Sequence, residues 1–141
     1  MQLPAEAVTA TALVEVVRLA TPPSRPGHPF TGDPVALWPR AEAETAFALI
    51  AALPGSTQHR CGFHPGWAVR AYGDDLDLPL YEVQFCFSCH EARLHGPSVT
   101  RCPDQQFFDP ESSQGRELLA RFRATDPCAQ ARAPLPSAME R

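Results

Sequence analysis

A chain of 141 residues fits one domain and is long enough to bury an ordinary hydrophobic core without disulfide staples. Its 44% hydrophobic and 20% charged content are those of a globular protein, and a formal net charge of -4 argues against general affinity for phosphate backbones. All 12 basic residues are arginine and no asparagine occurs, which excludes a Schiff-base lysine, a P-loop lysine, N-glycosylation and a Cys-His-Asn triad.

The segment Met1–Glu6 has no positive n-region, and Glu15 and Arg18 interrupt the apolar stretch that follows, so no export signal is expected. Nor is there a run of about 18 apolar residues that would span a bilayer. The expected location is cytoplasmic, with no membrane and no nucleic acid among the partners. Within residues 6–20, Leu13, Val16, Val17 and Ala20 fall at i, i+3, i+4, i+7 and predict a first amphipathic helix, ended by Thr21-Pro22-Pro23. Residues 21–39 read as a Pro-rich connector. A second helix is predicted over Arg40–Leu53, with Ala46, Leu49, Ile50 and Leu53 buried and Pro54-Gly55 stopping it.

The period then changes from 3.6 to 2. Trp67, Val69 and Ala71 alternate with Arg70 and Tyr72, and Tyr81, Val83, Phe85 and Phe87 alternate with Glu82, Gln84 and Ser88. Gly73-Asp74-Asp75-Leu76-Asp77 between them supplies turn residues, so the two strands predict an antiparallel hairpin. The acidic residues of that turn read as solvated, and Trp38 and Trp67 as core. Residues 95–108 read as loop. Asp109-Pro110-Glu111 reads as the start of a third helix carrying Leu118, Leu119 and Phe122 on its inner face. The fold expected is α+β, a small antiparallel β-hairpin sheet packed against about three helices. It forms a single globular domain over residues 1–124, with the connector at 21–39 and a flexible tail at 125–141.

The chemistry concentrates in five cysteines. In a reducing compartment, clustered thiols read as metal ligands or redox groups more often than as structural disulfides. Cys61-x-x-His64 and Cys86-x-x-Cys89 flank the predicted hairpin, and four N/S donors in two short-spaced pairs match tetrahedral zinc. The expected function is therefore a zinc site built by Cys61, His64, Cys86 and Cys89, structural in role, in a protein that engages a protein partner; His90 is a spare ligand. The expectation carries a condition, because in an uninterrupted strand Cys86 and Cys89 would point to opposite faces. A shared site requires the chain to turn at Cys86.

Two alternatives stand beside zinc: a thiol-dependent oxidoreductase using the Cys86/Cys89 pair, with Cys102 as a possible resolving thiol, and a metal-free interaction or adaptor protein. The string Cys86-Phe87-Ser88-Cys89-His90 also resembles the c-type haem attachment motif, which would imply thioether bonds from both thiols and His90 as the axial ligand. Here, however, the string continues an apolar strand and no export signal precedes it.

Overall fold

A computed structural model describes residues 1–59, 61–100 and 102–126. Helix α1 (Ala5–Ala10) leads into a six-stranded antiparallel sheet formed by β1 (Leu13–Thr21), β2 (Thr31–Pro39), β3 (Trp67–Tyr72), β4 (Tyr81–Cys86), β5 (Glu91–His95) and β6 (Gln105–Phe107). Helix α2 (Arg40–Ala51) follows β2, and α3 (Ser113–Thr125) follows β6. The strand order is β2-β1-β3-β4-β5-β6. The α+β class is as expected, but the sheet is much larger than a hairpin.

The predicted first helix is the main correction. Only Ala5–Ala10 is helical, and Leu13–Thr21 is strand β1. The i, i+3, i+4 pattern arose from a segment that is buried on both faces: Val14 and Val16 enter the main core, while Val17 and Leu19 enter a second cluster with Ala68. A strand covered on both sides loses its alternation, and its β-branched valines fit a pleated surface better than a helix. Within the Pro-rich stretch, Thr31–Pro39 is strand β2, paired with β1. Pro34 and Pro39 are tolerated because β2 is an edge strand, where a missing N–H need not interrupt a ladder, and the irregular register beside Val16 and Val17 blunts that edge.

The second helix and the β3–β4 hairpin form where the pattern predicts them. Strands β5 and β6 lie in segments where no strand was expected. The β5 sequence Glu91-Ala92-Arg93-Leu94-His95 does alternate, but its apolar positions are only Ala92 and Leu94, a short and weak signal, and β6 is three residues long. The third helix begins later than Asp109. Asp109 instead makes an Asx turn, its Oδ1 accepting from the Glu111 N–H at 2.9 Å, and Ser112 is the cap, its hydroxyl accepting from the Gly115 N–H at 3.0 Å. The expected tail lies outside the described residues from 127 onward.

All three helices contribute to one core. Ala7, Ala43, Phe47, Ile50, Leu118 and Phe122 pack with Val14, Val16, Trp67, Val69, Val83, Phe85 and Leu94 of the sheet. Tyr81 lies in this core, fully buried, and among the described residues its hydroxyl has no hydrogen-bond partner. The neighbouring Thr11 hydroxyl spends its proton on the Ala7 carbonyl at 2.7 Å and only slightly offsets the cost of burying the phenol. Burial accordingly pushes the Tyr81 phenol well above its ordinary range. Because an unmade buried hydrogen bond is a net penalty, Tyr81→Phe is expected to raise stability by about 1 kcal/mol. Urea denaturation would show this as a higher midpoint at unchanged slope; a lower midpoint would mean that Thr11 or water satisfies the hydroxyl.

Among the described residues the opposite face of the sheet carries no helix, and its centre is polar. Arg70 on β3 reaches Glu15 on β1 with Nη1 at 3.1 Å and bonds Glu82 on β4 through Nε. The second Glu82 oxygen accepts from Gln84 Nε2 at 2.8 Å, and Gln84 is itself clamped to the Phe30 backbone, donating to its carbonyl at 2.9 Å and accepting from its N–H at 3.2 Å. Burial works against the Arg70 charge, but Glu82 and then Glu15 more than offset it, and the guanidinium is held more firmly protonated than in water.

Candidate functional site

Strand β4 ends at Cys86, and Phe87-Ser88-Cys89-His90 form the four-residue turn into β5, with Cys86 paired to Glu91 across it. His90 closes the turn at φ 60°, the left-handed region that histidine enters more readily than most residues other than glycine. The turn at Cys86 on which the shared-site expectation depended is therefore present. It brings the Cys86 and Cys89 Cα atoms to 5.5 Å and their sulfurs to disulfide-bonding distance. Both residues are buried, and the Ser88 hydroxyl lies 3.4 Å from Cys86 Sγ.

The turn is held from two sides. Phe87 packs on Phe108 and Phe122, with ring centroids 5.4 and 6.2 Å away. On the other side the segment after α2 runs beside β6, through the Gly55–Phe108 bridge and a bond from the Ser56 N–H to the Phe107 carbonyl. This brings Ser56 Oγ to 3.4 Å from His90 Nδ1 and sets the His59 ring against His90, centroids 3.8 Å apart with the planes tilted by 40°. Neither Ser56 nor His59 was a candidate in the sequence. Both sit in an aperiodic loop more than thirty positions from His90, and nothing local signals the contact.

The other half of the expected metal site is placed differently. Cys61 and His64 are both exposed in the loop before β3, and His64 lies over Gly62, where an added Cβ would stand 3.0 Å from His64 Nε2. Among the described residues no three His, Cys, Asp or Glu side chains converge to hold a metal ion. The zinc-site function is corrected on that ground: the sulfurs of Cys86 and Cys89 face each other instead of a common centre shared with Cys61 and His64. The physical reason is the turn itself, which closes the Cys-x-x-Cys pair locally. Cys102 is half-buried, and burial followed by Asp104 pushes its thiol up, away from the thiolate a resolving cysteine needs. Cys128 lies outside the described residues.

The site and fold together define a sheet-rich α+β protein with a vicinal-type thiol pair in a hairpin turn. Comparison of the chain with family models, with curated proteins and with solved structures finds no match. Among the described residues no helix is long and apolar enough to cross a membrane.

Proposed function

We propose that the chain is a thiol–disulfide oxidoreductase whose couple is Cys86/Cys89. The observation that supports it is the placement of both sulfurs at bonding distance within a four-residue turn. In the reductive direction one thiolate attacks a substrate disulfide, and one substrate sulfur leaves as a thiol after taking a proton. The second cysteine then attacks the mixed disulfide, releases the other substrate thiol and leaves Cys86–Cys89 oxidised. Two electrons pass to the substrate. The Ser88 hydroxyl, 3.4 Å from Cys86 Sγ, is within reach to donate to a thiolate formed there.

Both cysteines are buried, so exchange requires either a small thiol or disulfide of the glutathione class or a protein partner that opens the turn. A cycling pair fits a cytoplasm kept reducing by small thiols. The chain should be equilibrated in glutathione buffers of graded potential, trapped with an alkylating reagent, and the peptide bearing residues 86–89 weighed. One two-electron transition is expected, removing two of the five alkylation sites, and Cys89→Ser should abolish it. Turnover of glutathione disulfide in the presence of a reductant should disappear with the same substitution. Two thiols that alkylate fully at every potential would sink the redox reading and favour a metal-free interaction protein.

A further inference from the structure

The helix-free face of the sheet holds a second feature, remote in role from the thiol pair. A cavity of about 260 Å³ opens there, walled by Phe30, Phe63, Gln84, Arg93, His95 and Gln105. Its elements come from four parts of the chain: the β1–β2 connection, the loop before β3, strands β4 and β5, and β6. The ring of Phe30 meets Phe63 edge-on at 5.9 Å, giving an apolar corner.

Arg93 is fixed in this wall by two contacts, and its carboxylate partner is itself pinned. Its Nε donates to Glu91 Oε2 at 2.9 Å, the other Glu91 oxygen accepts from Gln105 Nε2 at 2.6 Å, and the guanidinium carbon lies 4.1 Å from the centre of the Phe63 ring. Among the described residues neither terminal nitrogen of Arg93 has a hydrogen-bond partner, and neither does the half-buried ring of His95 two residues along the same strand. The buried acceptors are already used. Glu91 is satisfied on both oxygens, and Gln84 is satisfied at both ends by Phe30. Asp104 at the mouth is exposed and solvated. What the cavity offers a ligand is therefore a guanidinium edge with two parallel donors, an imidazole and an aromatic corner. A planar fork with its Nε pinned matches the geometry of one carboxylate.

We infer that this cavity binds a small carboxylate carrying a flat apolar body, the carboxylate on the terminal nitrogens of Arg93 and the body against Phe30 and Phe63. The size of the cavity limits the ligand to roughly one ring and its substituents.

The test uses benzoate as the probe, titrated into the full chain while backbone amide shifts are followed by NMR, with benzamide as the neutral isostere. Saturable shifts in residues 84, 93, 95 and 105 are expected with benzoate, and benzamide should bind about tenfold or more weakly, the loss expected when a charge-assisted pair becomes a neutral one. Arg93→Gln should weaken benzoate by about tenfold or more, and Arg93→Lys, which keeps the charge and loses the fork, should fall between. Equal binding of benzamide, shifts confined elsewhere, or benzoate affinity indifferent to Arg93→Gln would each overturn the assignment. Should Arg93→Gln fail to fold, the benzoate and benzamide comparison on the unaltered chain decides.

Discussion

Phe122→Ala is expected to lower the stability of the chain by about 3–5 kcal/mol, the range for removing a fully buried aromatic ring and leaving a cavity. Phe122 projects from α3 with no exposed surface and joins four separate elements. It stacks on Trp67 of β3 at 5.5 Å and Trp38 of β2 at 6.0 Å, and it meets Phe85 of β4 at 5.6 Å and Phe87 of the cysteine turn at 6.2 Å. Rigid strands on three sides hold the ring's place, so the void cannot collapse cheaply. Phe122→Leu keeps most of the volume and should cost less than half as much. Urea denaturation followed by tryptophan fluorescence would check both, since Trp38 and Trp67 flank the ring. Because Phe87 leans on Phe122, the alanine variant should also speed alkylation of reduced Cys86 and Cys89. A loss below about 1 kcal/mol would mean that this aromatic cluster is not the centre of the native core.

Arg70→Leu is the second large effect, expected at about 3–5 kcal/mol. The Arg70 side chain is 24% exposed, Glu82 9% and Glu15 20%, so solvent screens this triad little. Removing the cation leaves two carboxylates facing each other across β3 with nothing between them. The pair is not worth that much by itself; the penalty comes from leaving buried Glu82 and half-buried Glu15 without their cation. The double substitution Arg70→Leu with Glu82→Gln should therefore be markedly more stable than Arg70→Leu alone, although it removes one more native group. Gln at 82 can still accept from Gln84, which keeps the clamp on Phe30. A double-mutant cycle read from denaturation midpoints would measure the coupling, and simple additivity would contradict the ion-pair account.

These two sites mark the division between local and tertiary information. The second helix and the β3–β4 hairpin were legible because their periods, 3.6 and 2, were carried by large apolar residues and bounded by Pro54-Gly55 and the Gly73–Asp77 turn. Strand β1 was misread because burial on both faces removes the alternation that distinguishes a strand, leaving an apolar run that fits a helix equally well. The polar face was invisible for a related reason. In the sequence Arg70 and Glu82 look like solvent-facing alternations within their strands, Glu15 like the polar side of a helix, and Arg93 belongs to no predicted element; only the strand order β2-β1-β3-β4-β5-β6 sets them beside one another and under the loops that bear Phe30 and Phe63.

The composition and the cysteine spacing by themselves determined which chemistries were closed, through the absence of lysine and asparagine, and which residues were the thiol candidates. A two-residue spacing restricts Cys86 and Cys89 to a local pairing if the chain turns, and to opposite faces if it does not. Whether it turns is not a local property. The turn is held by Phe87 against Phe108 and Phe122, and His90 is reached by Ser56 and His59 from the loop that follows α2. That packing closes the pair on itself and leaves Cys61 and His64 outside it, because contacts between distant segments, not spacing, decide which side chains share a site.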